Sequence, residues 1–191
     1  MKHEELIMFT VVGVSFSPPP TAFDVVVPRD DTTLFTGYLK VLPAVVDIVD
    51  FEGGEYDHPG ASRTVKLSDG GSFREQIVRF ERPGGTAPDA AGHFDYDVSA
   101  FTGILGGIVS DGVARWTYAH GSTGRTHITW TYGYRPLPGR RFIMKHLIGP
   151  LWMRYMRRGM AACLRAIVEA RRESKAAAAA AFSSPSGPDL P

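Results

Sequence analysis

The sequence has little of what several classes of protein require. It contains one cysteine, Cys163, which excludes a disulfide within the chain. No apolar run approaches the roughly 18 residues of a membrane-spanning helix, and the first residues lack the pattern of a secretory signal. The formal net charge of +1 gives no reason to expect a nucleic-acid partner. We therefore expect a cytoplasmic protein.

Motifs that mark common catalytic sites are also missing. There is no Gly-rich phosphate loop and no Gly-x-Ser-x-Gly nucleophile motif. The six histidines lack zinc-site spacing, so we expect no metal. Cys163 lies in an apolar helical pattern without an evident base, which favours a buried structural role. No cofactor is predicted, and it stays open whether the chain is an enzyme.

Charge is unevenly distributed along the chain. Residues 140–175 contain ten Lys or Arg and two Asp or Glu. Residues 1–139 contain 11 Lys or Arg and 17 Asp or Glu. The basic segment coincides with a predicted helix, and the acidic remainder can neutralise it. We expect a solvated basic face, and contact with an anionic membrane surface is the less favoured alternative. The pattern does not indicate an oligomeric state.

The first predicted element is a strand over residues 8–16, and the three prolines at positions 18–20 end it. Residues 21–27 fit either a short helix capped by Thr21 or a strand, and 34–42 predict a second short helix that ends at Pro43. Gly-rich residues 103–107 are expected to form a loop. Short turns join the next segments, which favours an antiparallel meander. Its strands are predicted over 44–51, 62–67, 72–82, 93–102, 111–120 and 125–135.

A period of about 3.6 residues replaces the strand pattern after Pro138. Apolar residues recur at helical spacing between Ile148 and Val168, which predicts a long amphipathic helix over about 140–175. Pro150 either kinks this helix or marks its start. We expect one domain over residues 1–175 and a frayed or disordered Ala/Ser/Pro-rich tail over 176–191.

Four short motifs follow one another along these elements. They are Pro20-Thr21-Ala22-Phe23-Asp24, Leu42-Pro43-Ala44-Val45, Arg63-Thr64-Val65-Lys66-Leu67 with Asp69-Gly70 and Glu75, and Gly124-Arg125-Thr126-His127-Ile128-Thr129-Trp130. In this order they resemble the START and pollen-allergen superfamily, and most closely its bacterial polyketide cyclase/dehydrase and lipid-transport branch. The last motif departs from that pattern by one extra residue after its Gly. The resemblance covers about residues 8–173.

This resemblance implies an α+β helix-grip fold. In it, a curved antiparallel sheet of about six to seven strands wraps around a long C-terminal helix, and two short helices follow the first strand. Members bind sterols, lipids, polyketides, hormones or quinones, and only some are enzymes, so the fold implies a pocket rather than a reaction. We expect a carrier or sensor that binds a small hydrophobic ligand in an internal cavity. The alternative is a polyketide cyclase/aromatase or dehydratase that acts by positioning and acid–base catalysis, for which the sequence indicates no catalytic residue.

Alternation along the strands predicts which side chains face the helix. Aromatic and Met residues are individually more typical of a packed core, but together they would form an apolar surface with polar tips, as in ligand pockets. Arg63 and Glu75 lie on adjacent strands and must pair if both face inward; a ligand anchor and a structural ion pair are equally consistent with them. The predicted ligand-binding residues are Arg63, Glu75, Phe94, Tyr96, Trp116, Tyr118, Trp130, Tyr132, Met144, Ile148, Trp152, Tyr155 and Met156.

Overall fold

A computed structural model describes residues 5–27, 31–34, 36, 37, 42–85, 87–121 and 124–183. Seven antiparallel strands form one curved sheet in the order β1-β7-β6-β5-β4-β3-β2. The meander expected from the short turns is therefore confirmed from β2 to β7, and β1 pairs with β7. In chain order the strands are β1 (Ile7–Ser15), β2 (Val45–Glu52), β3 (Ser62–Leu67), β4 (Ser72–Glu81), β5 (Gly92–Ser99), β6 (Val109–His120) and β7 (Thr126–Pro136).

Strand alternation predicted that Phe94, Tyr96, Trp116, Tyr118, Trp130 and Tyr132 of the last three strands face inward, and all six are buried. Trp116 of β6 lies opposite Trp130 of β7 in the register, so large side chains from neighbouring strands meet on one face. This face is concave and carries the core, whereas the alternate residues are mostly half-buried or exposed. Its buried members are Phe94, Tyr96, Val98, Ala114, Trp116, Tyr118, Thr126, Ile128, Trp130, Tyr132 and Tyr134.

Two short helices follow β1. Helix α1 (Pro19–Val26) shows that the helical alternative for residues 21–27 is right, since prolines in a first helical turn lose no hydrogen bond. The predicted cap is wrong, because the N-cap position is Pro18 and Thr21 lies within the helix. Helix α2 is a single turn, Asp31–Leu34. The helix predicted over 34–42 is wrong at residues 36 and 37, which are not helical, because Gly37 has a left-handed φ of 80°. Residues 35 and 38–41 lie outside the described residues.

The Gly-rich segment between β5 and β6 is not entirely a loop, as had been predicted for residues 103–107. Helix α3 (Gly103–Gly106) forms one helical turn there. Gly103 has a φ of 65°, and a Cβ on it would lie 3.0 Å from Gly71 Cα. The glycine thus lets the segment pack closely on the β3–β4 turn, which directs Leu105 toward the interior.

The C-terminal helix consists of three consecutive parts. Helix α4 (Arg141–Ile143) continues through a π-helical turn (Met144–Ile148) into α5 (Gly149–Ser183). Pro150 has no N–H to donate to the preceding turn, and the Gly149 N–H donates to the carbonyl of Met144, five residues back. The wide turn therefore ends where Pro150 stands, and regular α-helix begins there.

Helix α5 extends past the end predicted at about 175, so part of the predicted tail is helical. Residues 184–191 lie outside the described part of the chain. The helix packs closely on β1, because a Cβ on Gly13 would lie 2.6 Å from the sulfur of Met160. An Arg171 N–H donates to the carbonyl of Phe16 at 3.0 Å. No described helix is both long and apolar enough to cross a membrane.

Candidate functional site

An internal cavity lies between the concave face of the sheet and the C-terminal helix. Its atom-free space is about 710 Å³, including the solvent at its opening. The sheet and helix supply most of its walls, and segments before β2 and between β5 and β6 supply the rest. The lining residues are Asp31, Leu42, Pro43, Val45, Val65, Leu67, Phe73, Glu75, Tyr96, Leu105, Trp130, Tyr132, Tyr134, Ile148, Trp152 and Tyr155.

One wall of the cavity is aliphatic. Val45, Val65 and Leu67 are buried on β2 and β3 and pack against one another. Phe73 and Leu105, which are half-buried, pack against the same group. This wall offers a ligand apolar contact without hydrogen-bonding groups, and burial of apolar surface gives about 25 cal/mol per Å².

The opposite wall is aromatic. The Trp152 ring of α5 lies edge-on to Tyr132 and Tyr134 of β7, with ring centroids 5.2 and 5.3 Å apart. Trp152 also stacks on Tyr155, one helical turn away, at 5.1 Å. Trp152 Nε1 is buried and has no hydrogen-bond partner among the described residues. The helix and sheet thus meet through ring edges and faces, next to which the cavity remains open.

The polar end of the cavity is built around a buried guanidinium. Arg63 Nε donates to Glu75 Oε2 at 2.8 Å, and Arg63 Nη2 pairs with Asp31. The guanidinium carbon lies 4.1 Å from the centre of the Tyr56 ring, and the Tyr56 hydroxyl donates to Glu75 Oε2 at 3.3 Å. Arg63 and Glu75 are direct cross-strand neighbours, so the predicted inward pair is confirmed. Within the described part of the chain, no group of three or more His, Cys, Asp or Glu side chains is placed to hold a metal ion.

The tyrosines around the cavity stay protonated at neutral pH. Burial raises the pKa of Tyr96 and Tyr132 well above the usual value, and the negative charge of Glu75 adds to the shift. Burial also raises the pKa of Tyr155, and the carboxylate of Asp31 raises it further. The hydroxyls therefore add no negative charge to the cavity.

The predicted ligand-binding residues divide into three groups by position. Seven border the cavity: Glu75, Tyr96, Trp130, Tyr132, Ile148, Trp152 and Tyr155. Arg63 lies behind the two carboxylates and is not among the lining residues. Five are buried in the surrounding core and do not border the cavity: Phe94, Trp116, Tyr118, Met144 and Met156. Contact of any of these residues with a ligand stays a prediction.

The core position of Trp116 and Tyr118 has a plain physical reason. Trp116 stacks on Trp130 at 4.6 Å, and that stack covers its inner face. Tyr118 packs against Phe23 of α1 at 5.2 Å. The side of the concave face nearest α1 is therefore filled, and the open space lies toward β2, β3 and β4.

Nine of the described lining residues were not predicted from the sequence: Asp31, Leu42, Pro43, Val45, Val65, Leu67, Phe73, Leu105 and Tyr134. Strand alternation carried a signal for several of them. Val65 and Leu67 share the face of Arg63, and Phe73 shares the face of Glu75. Asp31 had no such signal, because it reaches Arg63 from a helical turn that is distant in the sequence.

Comparison with solved structures finds the same architecture in proteins of very different sequence. The crystal structure of Ara h 8.0201 matches with a TM-score of 0.60 and 18% identity, over 86% of this chain and 99% of that one. An uncharacterised protein from Rhizobium leguminosarum matches with a TM-score of 0.53 and 12% identity, over 86% of this chain and 96% of that one. A protein from Chromobacterium violaceum matches with a TM-score of 0.55 and 8% identity, over 84% of this chain and 96% of that one. The chain has the helix-grip fold.

The expected fold class is thereby confirmed, with seven strands and the long C-terminal helix. The resemblance to the START and pollen-allergen superfamily holds at the level of the fold. No protein-family model and no curated protein matches the sequence. Identities of 8 to 18% show the fold alone, so function has to be argued from the cavity.

Proposed function

We propose that the helix-grip domain binds a small hydrophobic ligand in the internal cavity and acts as a carrier or sensor. Lipids, polyketide-like molecules and aromatic compounds have the required chemistry. The observation that carries the proposal is the open space between the aliphatic wall and the aromatic wall. A core whose only role is packing is normally filled to near-crystalline density.

The lining supports an apolar ligand with a few polar groups. Most of the lining side chains are aliphatic or aromatic, and the charged ones lie together at one end. Such a division would orient a ligand, with its apolar body between Val65 and Trp152 and its polar group toward Glu75. Affinity would come mainly from apolar burial, and orientation from the polar end.

A matched pair of substitutions tests the proposal. Val45 lines the cavity, whereas the next residue of β2, Val46, is 53% exposed on the other face. Val45→Phe adds a ring inside the cavity, and Val46→Phe adds the same ring outside it. We expect the neutral probe N-phenyl-1-naphthylamine to bind the wild type and Val46→Phe alike, with fluorescence enhancement. Val45→Phe should weaken binding at least about tenfold, which corresponds to about 1.4 kcal/mol.

Two outcomes would contradict the proposal. One is that the probe does not bind the wild type and that native mass spectrometry finds no co-purifying small molecule. The other is that both variants bind like the wild type while circular dichroism shows both are folded. The second outcome would place any probe binding on the outer surface.

A second candidate, a cyclase/aromatase or dehydratase, is favoured by one specific observation. Glu75 and Tyr132 place a carboxylate and a protonated hydroxyl on the same apolar cavity, and such groups can assist proton transfer. Turnover of a poly-β-keto mimic that falls in both Arg63→Ala and Tyr132→Phe, with retained probe binding, would support this candidate. Absence of turnover in the wild type would count against it.

A further inference from the structure

We propose that the end of the domain where α4 begins docks on the surface of an anionic lipid membrane. This inference goes beyond the proposed function and does not depend on it, because membrane docking and cavity binding are measured separately. The observation that carries it is a group of exposed apolar side chains beside exposed basic ones. We call this group the docking end, and its members are Ile104, Arg140, Arg141, Phe142, Lys145 and Leu147.

Three large apolar side chains of the docking end face solvent. Ile104 of α3 is 68% exposed, Phe142 of α4 is 68% exposed, and Leu147 of the π-helical turn is 60% exposed. The Phe142 ring contacts the His146 ring at 4.8 Å, but this contact leaves most of the ring accessible. Single exposed apolar residues are common, whereas a group of them marks a surface that contacts another molecule.

The three side chains lie at one end of the sheet, beside the cavity. The N–H of Leu137, between β7 and α4, donates to the carbonyl of Ile108, between α3 and β6, at 2.8 Å. This hydrogen bond joins the segments that carry the exposed residues. Leu105 and Ile148 line the cavity, and the residue that precedes each of them is one of the exposed apolar ones. A membrane in contact with the docking end would therefore lie close to the cavity.

Exposed basic residues surround these apolar side chains. Arg140, Arg141 and Lys145 are all exposed. An N–H of Arg141 donates to the backbone carbonyl of Glu5 at 2.8 Å, and the ion pairs within the described part of the chain include none of the three basic residues. Basic residues of this kind are attracted to the negative potential of an anionic membrane.

Carboxylates are few around the docking end. The sequence has no Asp or Glu between positions 111 and 169, and Asp111 itself pairs with Arg135 at 3.0 Å. Glu5 contacts Arg141 through its backbone, and Asp69 lies near Gly103 at the start of α3. Even with both of these carboxylates counted, the three basic residues leave a net positive charge.

The combination of charge and apolar exposure favours a membrane over solvent alone. A solvated basic face, as expected from the sequence, accounts for the arginines and lysines of the helix but not for exposed Phe142 and Leu147. At a membrane surface, apolar side chains enter the headgroup region while basic side chains contact anionic lipids. Both properties of the docking end therefore have a role in the same contact.

Sedimentation with lipid vesicles of two compositions tests the inference on the full chain. We expect the wild type to bind vesicles of equal parts phosphatidylcholine and phosphatidylglycerol at least about tenfold more tightly than vesicles of phosphatidylcholine alone. Part of this binding should be lost as ionic strength rises, because salt screens the charges.

Two matched pairs of exposed residues locate the contact. Phe142→Ser should weaken binding to the mixed vesicles at least about fivefold. Phe51→Ser should bind like the wild type, because Phe51 is 53% exposed near the end of β2 that lies away from the β3–β4 turn. Lys145→Gln should weaken binding at least about threefold. Lys175→Gln should not, because Lys175 lies about 45 Å further along the same helix at 1.5 Å per residue.

Several outcomes would overturn the inference. They are absence of binding to the mixed vesicles, equal binding to both compositions, and equal losses within either matched pair. Self-association in gel filtration that Phe142→Ser abolishes, without vesicle binding, would instead identify the docking end as a contact between copies of the chain. All four substitutions are at exposed positions, so circular dichroism should show folded variants, and the wild-type comparison decides without them. None of these outcomes bears on cavity binding, which the probe titration decides.

Discussion

Replacing Arg63 with Met should destabilise the protein strongly, because it removes the guanidinium between the buried carboxylate of Glu75 and the half-buried carboxylate of Asp31. Arg63, Glu75 and Asp31 are all held at or near the cavity wall, with side chains 11, 6 and 19% exposed. Removal of one partner from a buried ion pair costs about 3–5 kcal/mol. Loss of the stack on Tyr56 adds about 0.5–1 kcal/mol. The free energy of unfolding of a domain is about 5–15 kcal/mol. We therefore expect Arg63→Met to remain folded, with a much lower free energy of unfolding.

Urea unfolding followed by tryptophan fluorescence measures this loss. Glu75→Gln and the double variant complete a double-mutant cycle. The double variant should be more stable than Arg63→Met, with a coupling energy of at least about 1 kcal/mol, because one of the uncompensated charges is gone. Arg79→Met serves as control and should change stability little, since its pair with Glu81 is exposed and screened. A loss below about 1 kcal/mol in Arg63→Met would refute the buried, charge-compensating role assigned to Arg63.

Two further predictions concern the aromatic interior and the sheet. Burial raises the pKa of Tyr96, Tyr118 and Tyr134, whereas unfolded tyrosine ionises near pH 10; stability should therefore be intact below about pH 10 and be lost as pH rises above it. Tyrosinate absorbance should rise together with loss of the circular dichroism signal, and tyrosinate formation in a still-native protein would contradict this. Gly112→Ala should lower the unfolding free energy by about 1–3 kcal/mol, because its Cβ would lie 2.7 Å from the carbonyl oxygen of Gly133. Gly107→Ala, where the nearest atom is 3.5 Å away, is the control in urea unfolding, and equal losses in both variants would contradict the assigned contact.

Periodicity in the sequence predicts most of the architecture. Alternation over 93–102, 111–120 and 125–135 is sufficient to assign the concave face, because a one-residue shift would expose every aromatic ring. The change to a 3.6-residue period likewise locates the long helix. The pairing of Arg63 with Glu75 follows from the turn between their strands together with the cost of an isolated buried charge.

The periodicity of the sequence does not predict which residues border the cavity. Periodicity states which side chains face inward, but curvature and packing decide which of them border open space. Trp116 and Tyr118 face inward as predicted, yet the stack on Trp130 and the contact with Phe23 make them part of the core. Asp31 joins Arg63 through a tertiary contact across 32 positions, which no local pattern encodes.

Local backbone conformation accounts for the errors in the short helices. The pattern over 34–42 is helical in its apolar spacing, but Gly37 adopts a left-handed conformation that a helix does not contain. Residues 103–107 have the composition of a loop. They form a helical turn because the glycines permit close approach to the β3–β4 turn.

A crystal structure grown with 2-(naphthalen-1-yl)ethanol tests the central proposal most directly. Binding of this neutral probe measures the apolar cavity itself. We predict that the naphthyl ring lies between β7 and α5, in contact with Tyr132 and Trp152, and that its hydroxyl points toward Glu75. A structure in which these side chains close the space completely, or in which the probe binds only on the outer surface, would contradict the proposal.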